Sequence, residues 1–86
     1  MTYRVELTAL AQEASVHLPP VVKQQVKQAI RFLSQNPRSG EPLRRELTGK
    51  WKLRVGRFRI IYRLEEARRA VVVIAVGPRK NIYSSL

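Results

Sequence analysis

The sequence predicts an α+β fold: an N-terminal strand, a helical hairpin, and then a three-stranded antiparallel meander that joins one twisted sheet. Three observations carry this prediction. Apolar residues recur at every second position on either side of a Gly-containing turn between Leu47 and Leu64, which marks a strand pair. The run Ala70–Val76 is β-branched and apolar on both faces, as suits an inner strand covered from each side. Val22, Val26, Ala29, Ile30 and Leu33 form one stripe at helical spacing.

In chain order, Tyr3-Arg4-Val5-Glu6-Leu7 alternates and reads as a short strand. Thr8 is placed to cap a first helix that reaches Leu18, and Pro19-Pro20 ends it while supplying the first turn of a second. Opposite the apolar stripe of that second helix lie Lys23, Lys27 and Arg31, read as a solvated face open to partner contacts. Asn36-Pro37-Arg38-Ser39-Gly40-Glu41-Pro42 then stops the helix with loop chemistry. Leu43 and Leu47 are expected to anchor an extended loop to the core. The meander follows, with Glu65–Arg69 as a polar turn and Gly77-Pro78 ending its last strand. No domain boundary or repeat interrupts the 86 residues, which form one domain over 1–86 and bury about 60% of the surface the unfolded chain exposes.

Charge is the chain's most unusual property. Seventeen Lys and Arg stand against six Glu and no Asp, a formal net charge of +11. An acidic protein or a nucleic acid is the partner such a surface implies. Twelve of the cations are Arg, whose planar fork suits bidentate phosphate contact. Without cysteine there is no disulfide framework, thiolate metal site or thiol nucleophile, and one His with scattered Glu makes a metal centre or other cofactor unexpected. No apolar stretch is long enough to span a bilayer, so the expected location is cytoplasmic, with no membrane partner.

The alternation sorts these cations. Trp51, Leu53, Val55, Phe58, Ile60, Tyr62 and Leu64 share one face of the strand pair, and Lys52, Arg54, Arg59 and Arg63 share the other with Ile61. Like charges side by side on a sheet repel unless an anion joins them. If the last strand lies beside Arg59–Leu64, its exit brings Arg79 and Tyr83 to the edge of this face. Such a set can bind a phosphodiester. RNA can also be cut there without metal, when its own 2′-hydroxyl attacks phosphorus and the protein stabilises the added equatorial charge. Arg54 and Arg59 suit that task, while crowded cations would make Lys52 or Tyr83 a usable base. His17 sits at the end of the first helix, far from the cluster, and is read as non-catalytic. Alternation assigns Trp51 and Tyr62 to the core rather than to base stacking; Tyr83 is divided between function and packing.

Two blocks, L-T-G-K-W-K-L-R-V-G-R-F-R-I-I-Y-R and V-V-V-I-A-V-G-P-R-K-N-I-Y, resemble the RelE branch of the RelE/ParE toxin superfamily. The resemblance extends over the leading strand, the helical hairpin and the N-P-R-S-G loop. It implies a RelE-like toxin of a type II toxin–antitoxin pair, an endoribonuclease that enters the ribosomal A site and cleaves mRNA by 2′-hydroxyl attack. By position the catalytic set corresponds to Lys52, Arg54, Arg59, Arg79 and Tyr83. Arg44, Arg45, Lys50, Arg63 and Lys80 are expected to hold RNA, with ribosomal RNA contacts besides. The resemblance also implies a cognate acidic antitoxin that wraps the toxin.

The chain departs from the family's pattern at Arg57, where relatives often carry an acid or Asn, at Phe58, where Tyr is common, and at Pro78, frequently His. Loss of that His removes a proton donor, leaving Arg79 as acid or charge stabiliser and Tyr83 as base or aligner. The alternative is a ParE-like DNA gyrase inhibitor of similar fold with no nuclease activity. A third reading, an RNA-binding module, predicts affinity without cleavage.

Overall fold

A computed structural model describes residues 2–78. Strand β1 (Arg4–Leu7) leads into helix α1 (Ala9–Val16) and the longer α2 (Pro20–Gln35). A two-residue strand β2 (Glu41–Pro42) precedes β3 (Lys50–Val55), β4 (Phe58–Glu65) and β5 (Ala70–Pro78). The five strands form one sheet in the order β1-β5-β4-β3-β2, with β1 parallel to β5 and the other neighbours antiparallel. The expected meander is β3-β4-β5, and the N-terminal strand joins its far edge.

Local chemistry explains each boundary. Thr8 takes an extended backbone and its Oγ1 accepts from the Ala11 N–H at 3.2 Å, satisfying one of the donors that a helix start leaves open. The same hydroxyl donates to the Ile74 carbonyl at 3.0 Å. That carbonyl belongs to a bulge: Ile61 pairs with Ala75 and Tyr62 with Val73, so Ile74 is the extra residue. Pro20 opens α2, and the backbone and side-chain N–H groups of Asn36 close it by donating to the Phe32 carbonyl at 2.9 and 3.2 Å. Between β3 and β4, Gly56 supplies the positive φ of 59° that a two-residue hairpin turn requires.

Both helices cover one sheet face. Ala11, Val26 and Leu33 bury against Ile60, Tyr62, Val71, Val73 and Val76, with Trp51, Leu53, Val55 and Leu64 packed at the margin. The helical stripe read from the sequence is therefore the buried one. Trp51 stacks on Tyr62 with ring centroids 6.2 Å apart and planes at 21°, on the helix-covered side, as the alternation predicts.

Helix α1 ends at Val16 rather than Leu18, β4 takes in Glu65 from the expected turn, and two further features differ from the sequence expectation. The segment after α2 is not wholly loop, because Glu41 and Pro42 pair with Lys52 and Trp51 before a 3-10 turn at Arg45–Leu47. A two-residue edge strand containing proline, which cannot donate to a ladder, leaves no alternation to detect. Strand β5 also runs through Gly77 and Pro78, which pair with Arg59 and Phe58, because proline is tolerated at a strand end.

Tyr62 fixes the loop onto the sheet. Its buried hydroxyl donates to the Pro37 carbonyl at 2.9 Å and accepts from the Gly40 N–H at 3.1 Å. Burial pushes its pKa above the ordinary tyrosine value, opposed by the Gly40 hydrogen bond. Gly40 lies so close that a Cβ there would stand 2.4 Å from the Lys52 carbonyl oxygen and 2.6 Å from Tyr62 Oη. Tyr62→Phe strands a donor and an acceptor, so urea unfolding should show a loss of about 1–3 kcal/mol. Gly40→Ala should cost at least as much, since backbone must move to relieve the overlap. Unchanged midpoints in both variants would show that the loop is not anchored here.

Candidate nucleic-acid interface

The sheet face turned away from the helices holds the cations in rows fixed by strand register. Arg54 on β3 stands opposite Arg59 on β4, and Gly77 on β5 completes that row. The next row is Glu41, Lys52, Ile61 and Ala75, and the third is Lys50, Arg63, Val72 and Glu6. Glu65, Ala70 and Arg4 form the last. Leu43 packs on Ile61 and Ala75, the apolar floor between the cations. It anchors one end of the loop that carries Arg44 and Arg45, both exposed. Arg45 has a positive φ of 60°.

Charge is partitioned between the two ends of this face. At the Glu65 end, Arg63 donates to the Glu65 carboxylate through Nε at 3.1 Å and a terminal nitrogen at 2.9 Å. Arg68 bridges Glu65 and Glu6, and Arg4 lies 3.9 Å from Glu6. Three guanidinium groups are thereby matched by two carboxylates. At the other end Glu41 Oε2 is 3.7 Å from Lys52 Nζ, and Arg54 and Arg59 occupy the neighbouring row. Arg59 is buried at 5% exposure, whereas Arg54 is exposed. One guanidinium is held in the floor and its neighbour is free to meet a ligand.

Of the residues singled out in the sequence, Lys52, Arg54 and Arg59 are brought together. Lys50 lies one row away, Arg44 and Arg45 border the face on their loop, and Arg63 is engaged by Glu65. Arg79, Lys80 and Tyr83 lie outside the described residues. His17 caps the end of α1, which packs on the opposite side of the sheet. Sequence reasoning missed Glu41, whose place beside Lys52 depends on the unforeseen strand β2. Only its position in an E-P-L segment leading to the strand block could have drawn notice.

The arrangement suits an anion with two or more negatively charged oxygens, because Lys52 and Arg54 stand in adjacent rows, with Arg59 in the floor beside Arg54. Among the described residues, no group of three or more His, Cys, Asp or Glu is placed to hold a metal ion, and no helix is long and apolar enough to cross a membrane. On the helical side, a groove of about 570 Å³ is lined by Val5, Leu7, Val26 and Ile30 and edged by Lys23 and Lys27.

Residues 5–83 match the family described as ParE toxin of type II toxin–antitoxin system, parDE. The chain is 39% identical over 85 residues to Toxin RelG of Mycobacterium tuberculosis, covering 96% of this chain and 98% of that protein. Among solved structures, it resembles a chain of the RelBE2 toxin–antitoxin complex from M. tuberculosis with a TM-score of 0.85 and 34% identity, over 92% of this chain and 93% of that one. A chain of the intact E. coli RelBE toxin–antitoxin complex shares the fold at a TM-score of 0.77 and 24% identity, over 91% and 98%.

The ion pairs on the sheet and loop make stability acid-sensitive. Arg68 and Arg63 hold the Glu65 carboxyl below its usual pKa, and Arg38, with a smaller contribution from Tyr3, does the same for Glu66. A depressed folded-state pKa contributes stability that is present above the unfolded value of about 4.3 and is lost as pH falls through the lower folded value. The thermal midpoint should hold steady above about pH 5 and fall below about pH 4. Glu65→Gln with Glu66→Gln should flatten that decline; an equally steep fall in the double variant would assign the acid sensitivity elsewhere.

Proposed function

Because this chain belongs to the RelE/ParE superfamily of type II toxin–antitoxin toxins, in its RelE-like branch, we propose that it is a ribosome-dependent endoribonuclease that cuts mRNA in the A site. The observation that carries this reading is the convergence of Lys52, Arg54 and Arg59 at one end of the exposed sheet face, facing one strand carboxylate. In this mechanism the RNA's 2′-hydroxyl attacks the adjacent phosphorus, and Arg54 and Arg59 stabilise the charge that accumulates on the equatorial oxygens. Arg79 serves as acid or second charge stabiliser and Tyr83 as base or aligner. Arg44, Arg45, Lys50, Arg63 and Lys80 contact backbone phosphates of mRNA and ribosomal RNA. No metal or other cofactor takes part, and the site of action is the cytoplasm.

A cognate acidic antitoxin neutralises the protein. Supporting this are the net charge of +11 and the solved relatives whose structures hold toxin together with antitoxin. The basic edge of the groove between β1 and α2, at Lys23 and Lys27, fits an acidic amphipathic segment. One observation favours a second reading, inhibition of DNA gyrase without nuclease activity: the matched family is described by its ParE toxins.

Primer extension on translated mRNA after induction separates the two. The wild type should give cleavage within codons, and Arg59→Ala, Arg79→Ala and Tyr83→Phe should reduce it by about 100-fold or more, the scale of losing one electrostatic or proton-transfer contribution. Intact transcripts with altered supercoiling would replace the nuclease by the gyrase reading.

A further inference from the structure

The turn between β3 and β4 carries a cation to which neither the fold nor the mechanism above gives a task. Arg57 follows Gly56 in that two-residue turn, at a position where this chain departs from the family's pattern. Gly56 supplies the positive φ that the turn requires, and the turn asks for no cation at the next position. Arg57 is exposed. The ion pairs among the described residues draw in Arg4, Arg38, Lys52, Arg63 and Arg68, and none of them engages Arg54 or Arg57.

Its place in the hairpin sets this charge beside the proposed phosphate site. Arg54 pairs with Arg59, Val55 with Phe58, and the turn follows. Two peptide units separate Arg57 from Arg59, so their Cα atoms stand at most about 7 Å apart. Strand β2 pairs no further along β3 than Lys52, so among the described residues no strand covers β3 from Leu53 to the turn. The corner is open to an extended chain running from the Arg54–Arg59 row toward the tip. Arg54, Arg57 and Arg59 fall within six residues, and no acid lies between Leu47 and Leu64 to offset them. Like charges so close repel, and an exposed turn position is where the fold would lose least by giving one up. A polyanion is what this third guanidinium serves.

We propose that Arg57 binds the mRNA phosphate adjacent to the scissile one, an assignment that rests on the nuclease reading above. Its guanidinium donates to the non-bridging oxygens of that phosphate, which its fork geometry suits. The contact reads no base. It fixes where the RNA lies along the hairpin and so sets which linkage reaches the Arg54–Arg59 row.

The test compares Arg57→Gln with Arg31→Gln, which removes one cation from the helical side, so that the formal net charge falls from +11 to +10 in both. Affinity is measured over a range of salt concentrations on purified ribosomes, with a defined mRNA in the A site and without mRNA. On programmed ribosomes Arg57→Gln should bind about fivefold more weakly, and the slope of log affinity against log salt should flatten by about 0.7, the value of one single-strand phosphate contact. Arg57→Lys should recover most of the slope, and Arg31→Gln should leave it as in the wild type. The thermal midpoint of Arg57→Gln should be unchanged or higher. Equal slopes for Arg57→Gln and the wild type on programmed ribosomes overturn the assignment. An equal loss on ribosomes without mRNA also overturns it, by placing the contact on ribosomal RNA, and a lowered thermal midpoint does so by giving Arg57 a task in the fold. Cleavage of the bound mRNA by the wild type is scored in the same preparations. Its absence removes the nuclease reading, whereas cleavage together with an unaltered Arg57→Gln slope removes this assignment alone.

Discussion

The pairing register of β3 with β4 is the constraint on which the other features rest. Side chains on a strand alternate with a period of two, so a slip of one residue would turn Arg54 and Arg59 under the helices and Leu53 and Ile60 into solvent. Burying guanidinium groups among Val26, Leu33 and Val71 would cost far more than any surface ion pair returns. The hydrophobic effect therefore fixes the position of the charges. The Gly56 turn and the Trp51–Tyr62 stack hold the same register from opposite ends of the hairpin.

From that register follows a division of labour across the cationic face. Interspersed carboxylates tie Arg4, Arg63 and Arg68 into the structure at one end, and the surplus is concentrated at the other. Concentrating charge in this way raises the local attraction for a polyanion beyond what net charge alone gives. It also sets Arg54 facing Arg59, a like-charge pair of the kind that costs stability unless counter-charge stands beside it. The loop after α2 serves both ends, since Arg38 reaches Glu66 while Gly40 and Leu43 meet β3 and the apolar floor.

Much of this was legible in the chain. Helix α2 announced its buried stripe because Val22, Val26, Ala29, Ile30 and Leu33 recur at one spacing, and β3 and β4 announced both faces because their alternation is uninterrupted. Thr8 and the Pro19-Pro20 pair marked helix boundaries through groups whose chemistry is local. What escaped depends on residues far apart in sequence or on patterns too short to read. Strand β2 offers two residues, one of them proline, and exists because Gly40 lets the backbone approach Lys52. Glu65 was read as part of a turn, whereas β4 continues through it and puts it on one face with Arg63, which donates to it. The link from Arg68 to Glu6 spans 62 residues and needs β1 beside β5 before it can form. The apolar run of β5 concealed its bulge, since every register of Ala70–Val76 looks equally hydrophobic.

That extra residue in β5 has a topographic effect. Upstream of Ile74, odd-numbered positions face the helices; downstream, even-numbered positions do, so the parity of the strand is inverted partway along its length. Ala75 and Gly77 consequently border Ile61 and Arg59, where an unbroken ladder would have set Ile74 and Val76. The two smallest side chains of the segment thus line the shelf beside the guanidinium pair. The surface there lies low, with no branched methyl groups beside the guanidinium pair, and that relief is written into one inserted peptide unit rather than into any charged residue.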